Sequence, residues 1–529
     1  IRRWMGDFSN IPSVAKKMAR MGQCFSSTEE SVKVPLDGKA VEDRPDIVGG
    51  KHPRSGRPFI FSDGIGMISQ PLLEKVCKKL EMAQIPSAIQ IRYAGYKGML
   101  CVNPLLPGDK LVLRESMRKF TCSSSDSLEV IKVSAPRPVC LNRPLITILE
   151  QLGVPSRVFL CLQQKMVLMF ADALVCESTA LQVLCTYLSG ALPFRRLRMH
   201  GLCLTRNPFV RSLLYTVYKS TMDGLHTKSR IAVPLNKGRN MLGVLDETDT
   251  LKYGQVFVQY TALGPDTEGQ DDGLPKTRII FCTGAVLVTK CPCLHPGDVR
   301  KFTAVDVPAL HHVKDCVVFP ARGPRPHPNE MAGSDLDGDE YVVIWKKDLL
   351  FPGPNRKAMV FSDHSAPCDA NKSLLEGMIQ FVCNYIKNDN VGIMSNAHLA
   401  WADSLEDGIF SKQCLQIARK ISTCLDFAKT GETSYLNKDE KPIQYPDFME
   451  KGSSKDTYRS KRVLGHLYRL HRSLEAVVGT DFQTCVEDGD ADCSLFALPG
   501  WEEYAAAAES VRANYASQMA RIRRQYGIK

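Results

Sequence analysis

Three aspartates stand at alternate positions in the segment S-D-L-D-G-D, residues 334–339, and only Glu340 separates them from the apolar run Y-V-V-I-W. On an extended chain, side chains two residues apart point to one side, and a glycine-rich turn ahead of a strand lets all three carboxylates converge. Carboxylates at such short range repel one another and raise each other's pKa unless a cation neutralises them. Hard oxygen ligands of this kind select Mg²⁺ or Mn²⁺. The pattern therefore predicts a metal site formed by Asp335, Asp337 and Asp339.

Two other interpretations of this loop were weighed. A calcium-binding EF-hand loop has glycine at position 6 and glutamate at position 12. These positions hold Glu340 and Lys346 here, and a strand rather than a helix follows, so the EF-hand is excluded. The remaining alternative is a solvated acidic turn on the surface. The apolar strand that follows favours a functional site, and magnesium held by a few carboxylates is the arrangement expected of phosphoryl transfer.

Phosphoryl transfer also builds up negative charge on phosphate, so lysine or arginine side chains are expected near the same point. Two clusters supply candidates, Q-I-R-Y-A-G-Y-K-G at residues 90–98 and L-R-E-S-M-R-K-F at residues 113–120. Within the first cluster, Lys97 lies between glycines, where a backbone can come close to a phosphate. Spacing alone does not place these residues opposite the aspartates. The alternative is that they are exposed on the surface of a β unit.

The distribution of charge points to a polyanionic partner. The formal net charge is +11, and most of the excess lies in residues 191–240. That stretch holds ten Lys or Arg residues and one acidic residue, Asp223, for a net charge of +9. It suits a surface that follows the phosphates of a nucleic acid. The alternative is an ordinary solvated basic face.

Hydrophobic patterning divides the chain into five segments. Residues 1–57 are polar and rich in Gly, Pro and Lys, which is typical of a linker. Strand-like patterns over 58–140 and 221–350 alternate with helical patterns over 141–220 and 351–529. Two separate β units with helices between and after them predict an α+β fold with two small barrels. In the second β unit, short apolar runs predict strands at 230–233, 254–258, 278–281, 285–288, 316–319 and 341–345.

Cysteine usage and hydropathy limit the class of protein further. The 19 cysteines contain no C-x-x-C pair, so a structural zinc site is not expected. Most stand in apolar runs, which indicates reduced, buried thiols of an intracellular protein, in the cytoplasm or the nucleus. No uninterrupted apolar stretch of 18 residues occurs, so no membrane partner is expected. The chain begins with Ile1 rather than Met, and we expect it to be a fragment of a longer protein.

The loop D-L-D-G-D resembles the signature of the cellular RNA-dependent RNA polymerases of RNA silencing. Other segments resemble the same family, in the same order, from about residue 45 to the end of the chain. These segments are residues 62–66, 90–98, 113–120, 242–247, 293–298, 395–400, 426–431 and 445–449. The start of the loop departs from the family pattern, because Ser334 precedes the first aspartate where many relatives have glycine, and Met331-Ala332 replaces a commoner small or Cys-containing pair. A small residue still fits at position 334.

The resemblance implies an α+β fold in which two double-psi β-barrels form the catalytic cleft. Residues 58–140 would be the first barrel and residues 221–350 the second barrel, which carries the aspartate loop. A helical connector, residues 141–220, would join them, and a helical neck and head region, residues 351–529, would follow. Residues 1–57 would be a linker or the tail of a truncated N-terminal slab region.

The same resemblance implies the site residues and the reaction. Asp335, Asp337 and Asp339 would be catalytic and hold Mg²⁺, with Mn²⁺ as a substitute, and Lys97 and Lys119 would be catalytic lysines of the first barrel. The reaction would copy a single-stranded RNA template from ribonucleoside triphosphates, releasing pyrophosphate and leaving double-stranded RNA. Silencing-complex proteins are expected partners. Two alternatives stay open: a non-catalytic RNA-binding scaffold of the same fold, and a DNA-templated two-barrel polymerase.

Overall fold

The computed structural model describes residues 5–36, 38–123, 125–188, 192–263, 279–361, 373–387, 390–452, 456–474 and 500–525. The chain divides into two compact units. The first comprises Ile1–Met166 and Gly224–His471 and contains both large sheets. The second comprises Val167–Asp223 and Arg472–Lys529 and is helical where it is described. All residues of the candidate site belong to the first unit.

Strands form where short apolar and β-branched runs are bounded by Gly, Pro or Ser. They are β1 (Glu29–Lys33), β2 (Val41–Arg44), β3 (Val48–Gly49), β4 (Phe59–Ile60), β5 (Ile65–Ser69), β6 (Ala88–Tyr93), β7 (Tyr96–Asn103), β8 (Leu111–Arg114), β9 (Ser127–Val133), β10 (Cys140–Leu141), β11 (Ile231–Ala232), β12 (Gly238–Leu245), β13 (Gln255–Thr261), β14 (Ile279–Phe281), β15 (Gly284–Lys290), β16 (Arg300–Ala304), β17 (Cys316–Phe319), β18 (Glu340–Ile344), β19 (Tyr445–Pro446) and β20 (Thr457–Tyr458).

Helices form where apolar residues recur every three to four positions, and polar side chains cap several of them. Asn142 and Ser411, for example, accept hydrogen bonds from the backbone N–H groups of Leu145 and Cys414. The α-helices are α1 (Val14–Gly22), α2 (Gln70–Lys79), α3 (Arg143–Gln151), α4 (Ser156–Asp172), α5 (Glu177–Tyr187), α6 (Phe194–Met199), α7 (Pro208–Lys228), α8 (His327–Glu330), α9 (Leu374–Lys387), α10 (Val391–Ser404), α11 (Lys412–Leu425), α12 (Phe427–Thr430) and α13 (Glu502–Gln525).

The first large sheet contains seven strands in the order β1-β9-β6-β7-β5-β8-β2. Strands β5 and β7 run parallel with Ile65 opposite Met99, whereas β6 and β7 form an antiparallel pair with Arg92 opposite Lys97. Its central strands are buried because helix α2 covers one face and the second sheet's core meets the other. The edge strands β1 and β2 do not pair with each other in the described parts of the chain, so this sheet is curled and open.

Residues 1–57 differ from the predicted linker. They contain helix α1 and the two edge strands of the first sheet, with Glu29 opposite Val130 and Val41 opposite Leu111. Edge strands are exposed on one side and carry charged residues that discourage pairing with other chains. The sequences E-E-S-V-K and V-E-D-R of these strands therefore lack the apolar run by which an interior strand is recognised.

The second large sheet closes into a ring of six strands. Strand β12 lies between β17, to which it runs parallel, and β18, to which it runs antiparallel. The additional pairing of β13 with β17 completes the ring β13-β16-β15-β18-β12-β17, and β14 pairs on the outside of β13. Buried Val, Ile, Phe and Tyr side chains fill its interior. The predicted α+β class with two β units joined by helices is confirmed, and the closed barrel is the second one.

Two further expectations concern cysteines and membranes. Of the cysteines in the described residues, none forms a disulfide, and several are buried, including Cys101, Cys293 and Cys316. Others are exposed, such as Cys140 and Cys161, so the prediction that the thiols are buried is only partly correct. In the described ranges no single helix is long and apolar enough to cross a membrane. The bent pair α4 and α5 passes that test together, by length and composition only.

Candidate active site

The aspartate loop lies between the single-turn helix α8 and strand β18. Its backbone turns sharply, because Ala332, Gly333 and Gly338 all have positive φ angles, of 53°, 66° and 126°. Glycine adopts such angles without strain, which accounts for its presence in the loop. The turn brings one carboxylate oxygen from each of Asp335, Asp337 and Asp339 within 4.8 Å of the others. These three partly buried carboxylates are thus brought together as the spacing predicted.

Hydrogen bonds from both sheets hold the loop backbone in place. From β18, the Tyr341 hydroxyl donates to the carbonyl oxygen of Asp335 at 2.9 Å. From β6 of the first sheet, the Gln90 amide donates to the carbonyl oxygen of Asp337, also at 2.9 Å. The backbone N–H of Leu336 donates to the carbonyl oxygen of Asp63 at 2.9 Å. The loop therefore belongs to the second sheet by sequence but is positioned by residues of both β units.

Two glycines allow this close approach of the sheets. Gly64 has a φ angle of 83°, and a Cβ atom there would lie 2.6 Å from the Cβ atom of Asp337. Gly338 has a φ angle of 126°, and its Cβ atom would lie 1.9 Å from the amide nitrogen of Gln90. Neither contact is sterically allowed, so a side chain at either position would push the aspartate loop away from the first sheet.

A substitution at Gly64 is expected to disturb the metal site as well as the fold. Gly64→Ala adds both backbone strain and a clash with Asp337, and we expect it to lower the free energy of unfolding by about 2 to 4 kcal/mol. Gly108→Ala is the matched control, because Gly108 has a φ angle of 64° and open space around its Cβ position. The control is expected to lose only about 1 to 2 kcal/mol.

Thermal unfolding and Mn²⁺ binding, measured on both alanine variants, check this prediction. Gly64→Ala should weaken Mn²⁺ binding, whereas Gly108→Ala should bind Mn²⁺ as the unsubstituted chain does. Equal effects of the two substitutions on Mn²⁺ binding would show that the close contact at Gly64 does not position the loop.

Lysine side chains neutralise two of the three aspartates. The Lys97 Nζ atom, from β7, lies 2.6 Å from Oδ2 of Asp337. The Lys290 Nζ atom, from the end of β15, lies 2.5 Å from Oδ2 of Asp339. All four side chains are at most one-quarter exposed, so these charges are shielded less by solvent than charges on a surface.

Lys119 occupies a neighbouring position. Its Nζ atom donates to the carbonyl oxygen of Ser116 rather than to an aspartate of the loop. Among the carboxylates, Asp63 stabilises the charged form of Lys119 most, followed by Asp337 and Asp335. Burial lowers the pKa of Lys119 despite these attractions. The structure therefore brings Lys97 into direct contact with the predicted metal ligands and Lys119 into their electrostatic neighbourhood.

Four residues of the site were not predicted as site residues. Asp63 and Lys429 stand in segments that carry the family resemblance, at 62–66 and 426–431, but no role was assigned to either. Lys429 belongs to helix α12, and Asp335 and Asp337 raise its pKa against the effect of burial. Arg20, on helix α1, also interacts with the aspartates through charge. Neither Arg20 nor Lys290 stands in a recognisable pattern, and only the fold brings them here.

The carboxylates of the site have unequal proton affinities. Burial, and then the charges of Asp337 and Asp339, raise the pKa of Asp335 to about 7. Burial acts in the same direction on Asp337, but the charge and hydrogen bond of Lys97 outweigh it and hold the pKa of Asp337 below its ordinary value. Burial also raises the pKa of Asp63. Burial and neighbouring carboxylates thus disfavour the ionised form of Asp335, and a bound divalent cation would stabilise that form.

The residues present fit a divalent metal ion. Three carboxylate oxygens within 4.8 Å of one another can all reach one ion, and hard oxygen donors suit Mg²⁺ or Mn²⁺. A pocket of about 210 Å³ opens beside the loop and is lined by Asp63, Asp335 and aromatic residues including Phe59 and Phe361. Magnesium usually keeps several positions for water or substrate oxygens, and this pocket leaves room for them.

Metal affinity is expected to fall below pH 7. Asp335 must lose its proton before its carboxylate can bind a cation, and its raised pKa of about 7 makes the proton a competitor below that pH. The apparent affinity for Mn²⁺ should fall by up to about tenfold per pH unit below neutrality and become constant above it. Electron paramagnetic resonance titrations of Mn²⁺ across this range measure the effect. Affinity that does not change with pH would contradict the assignment of Asp335 as a ligand.

Two β units, one a closed barrel and the other a curled sheet, thus meet at a loop of three aspartates, with lysines against two of the carboxylates. The family model described as RNA dependent RNA polymerase matches residues 1–471. The chain belongs to the RNA-dependent RNA polymerase family.

Several relatives are similar over the whole chain. RNA-dependent RNA polymerase 1 of Arabidopsis thaliana is 40% identical over 534 residues, covering 100% of this chain and 46% of the relative. Probable RNA-dependent RNA polymerase 1 of Oryza sativa subsp. japonica is 39% identical, with coverage of 100% and 68%. RNA-dependent RNA polymerase 1 of Schizosaccharomyces pombe is 34% identical, with coverage of 100% and 44%. The chain therefore spans about half the length of most of these curated relatives.

A solved structure supports the fold. The RNA dependent RNA polymerase QDE-1 from Thielavia terrestris superposes with a TM-score of 0.71 at 19% sequence identity. The match covers 98% of this chain and 62% of that one. At this identity the similarity establishes the architecture, and the chemistry has to be argued from the residues of this chain.

Proposed function

We propose that this chain is the catalytic core of an RNA-dependent RNA polymerase that acts in RNA silencing. It would copy single-stranded RNA from ribonucleoside triphosphates and leave double-stranded RNA as the product. The observation that carries the proposal is the convergence of Asp335, Asp337 and Asp339 against Lys97 and Lys290. A cluster of carboxylates that can hold a divalent metal ion, with lysines beside it, suits the transfer of a nucleotidyl group from a triphosphate to a hydroxyl group.

The reaction joins the 3′-hydroxyl of the growing RNA to the α-phosphate of a paired triphosphate. A bond forms between the 3′-oxygen and the α-phosphorus, and the hydroxyl proton passes to solvent. The bond between the α-phosphorus and the bridging oxygen breaks, and pyrophosphate leaves with the electron pair. Mg²⁺ held by Asp335, Asp337 and Asp339 would supply Lewis acidity to the attacking and leaving oxygens. The three carboxylates would hold that ion at one point, and their placement on a hydrogen-bonded loop limits the movement of the site.

The lysines would stabilise the negative charge that develops on phosphate during transfer. Lys97 lies on the same carboxylate that would bind the metal, so its ammonium group can reach a phosphate oxygen bound there. Lys119 donates a hydrogen bond to the carbonyl oxygen of Ser116. It would contact the triphosphate or the RNA 3′ end. Positive charge fixed in advance in a site of low solvent exposure stabilises a transition state more than mobile ions do.

The proposal extends to partners that the chemistry implies. The basic stretch 191–240 would follow the phosphates of the template or the product, and this contribution should weaken with rising salt concentration. Proteins of a silencing complex are proposed as further partners. Base pairing selects the incoming nucleotide, so few contacts between protein and base edges are expected.

A template comparison tests the proposed function. Incorporation of labelled ribonucleotides is expected on single-stranded RNA with Mg²⁺, and incorporation on single-stranded DNA of the same sequence should be at least about tenfold slower. Equal rates on the two templates would favour the DNA-templated alternative. RNA binding without incorporation on either template would favour the non-catalytic scaffold.

A further inference from the structure

A second pocket, of about 350 Å³, lies in the first unit, and none of the residues that line it belongs to the aspartate loop. Its walls come from the start of helix α3, the end of helix α7 with Arg230 just beyond it, the turn at Pro292 and Leu294, and helix α10. The lining contains no acidic side chain and three cationic ones, Arg143, Lys228 and Arg230. The pocket lining therefore carries positive charge, and no acidic side chain of the lining neutralises it.

These three cations are available to a ligand. In the parts of the chain that the structure describes, none of them lies within 4.0 Å of a carboxylate oxygen. Lys228 and Arg230 are exposed at the mouth. Arg143 is held in one orientation, because its Nη2 atom donates to the backbone carbonyl groups of His226 at 3.2 Å and Phe448 at 2.9 Å. An anion bound here would meet one fixed and two adjustable positive charges.

A buried histidine provides the second, independent observation. His398 lines the pocket and is only 4% exposed, yet its Nε2 atom has no hydrogen-bond partner among the described residues. Burial lowers the pKa of His398 to about 4, although a hydrogen bond with the backbone of Leu294 opposes this shift. The ring is therefore neutral, and with its proton directed to Leu294 it leaves Nε2 as an acceptor. A buried polar atom without a partner is costly unless a ligand supplies one.

We propose that this pocket binds a ribonucleotide, either free or as one unit of an RNA strand. The phosphate would lie against Lys228 and Arg230, and a sugar hydroxyl or a base N–H group would donate to Nε2 of His398. The side chains of Ser395 and Asn396, which also line the pocket, add further hydrogen-bonding groups. The volume falls in the range of small-ligand pockets, and a nucleotide combines the required negative charge and hydrogen-bond donors in one molecule.

Photo-crosslinking of the full chain tests this proposal. One arm uses 8-azido-AMP as a free nucleotide, and the other uses a short RNA strand that contains 4-thiouridine. Both are carried out with a metal chelator, so that labelling does not depend on the polymerase activity proposed above. Mass spectrometry is expected to find label in peptides that contain residues 142–147, 227–230 or 395–399. Label in the first arm identifies free nucleotide as the ligand, and label in the second arm alone identifies RNA.

Charge-reversal variants distinguish binding in this pocket from nonspecific attraction of an anion to a basic protein. Lys228→Glu with Arg230→Glu is expected to reduce labelling of these peptides by about tenfold or more. The matched control, Lys252→Glu with Lys441→Glu, removes the same charge from exposed positions outside the pocket. It should leave the labelling unchanged. Absence of label from these peptides in both arms, or an equal loss in both double variants, would overturn the proposal.

Discussion

Replacing Asp337 by alanine is expected to abolish nucleotide incorporation while RNA binding is retained. Asp337 is the central member of the three converging carboxylates and the partner of Lys97 at 2.6 Å. Its removal takes away one metal-binding oxygen and leaves an uncompensated lysine beside the remaining two. We expect incorporation to fall at least about a thousandfold, which corresponds to roughly 4 kcal/mol of lost transition-state stabilisation.

The measurement is Mg²⁺-dependent extension on single-stranded RNA, with RNA affinity and melting temperature recorded on the same samples. Asp337→Asn is a second variant that keeps the shape and a hydrogen bond to Lys97, so its loss of activity cannot be ascribed to misfolding. Asp407→Ala, at an exposed aspartate outside the site, is the control. Activity within about threefold of the unsubstituted chain in either Asp337 variant would contradict the assignment.

Replacing Lys97 by methionine is expected to give the second-largest effect. Removal of a single preorganised donor to developing charge costs about a hundredfold to a thousandfold in kcat, and Lys97 contacts the carboxylate at the centre of the site. The same substitution should strengthen Mn²⁺ binding, because the ammonium group competes with the metal for Asp337. A fall in kcat with stronger metal binding distinguishes a catalytic lysine from one that merely neutralises a carboxylate.

Single-turnover extension and Mn²⁺ titration of the same variant provide the two readouts. Lys75→Met is the matched control. Lys75 lies on helix α2, outside the aspartate site, and forms an exposed ion pair with Asp109. The control should change neither quantity. If Lys97→Met left kcat unchanged, the part of the proposed mechanism that assigns transition-state stabilisation to Lys97 would be wrong.

The aspartate site could be predicted from sequence because its pattern is local. Asp335, Asp337 and Asp339 fall within five residues, and the glycines that let the loop turn stand beside them. The lysines were harder, because Lys97 reaches Asp337 across 240 positions of the chain through the meeting of two sheets. Spacing could not place Lys97 there, and only the resemblance to a known family did.

The site residues that could not be predicted are positioned by contacts between distant parts of the chain. Lys290 is opposite Tyr341 in the pairing of β15 with β18, which brings its side chain to Asp339. No local pattern around Lys290 reveals that pairing. Lys429 comes from helix α12, about ninety positions after the loop, and helix α12 packs against helix α1, which carries Arg20.

The second barrel was predicted in part. Runs of apolar residues identified the strands β13, β14, β15, β17 and β18, but β12 and β16 were not predicted. Strand β12 contains Arg239, which is 1% exposed and lies over the Tyr260 ring with its centroid at 5.0 Å. A buried cation held by an aromatic ring and backbone carbonyl groups interrupts the apolar pattern, and the short, charged sequence of β16 does the same.

Diffraction from crystals of the full chain grown with Mn²⁺ tests the central claim most directly. The anomalous signal is expected at a single position bonded to oxygens of Asp335, Asp337 and Asp339, at about 2.0 to 2.3 Å from each. That position should also lie on the side of the loop that faces Lys97. Mn²⁺ bound elsewhere, with the three carboxylates pointing apart, would contradict the account of this site and the function proposed from it.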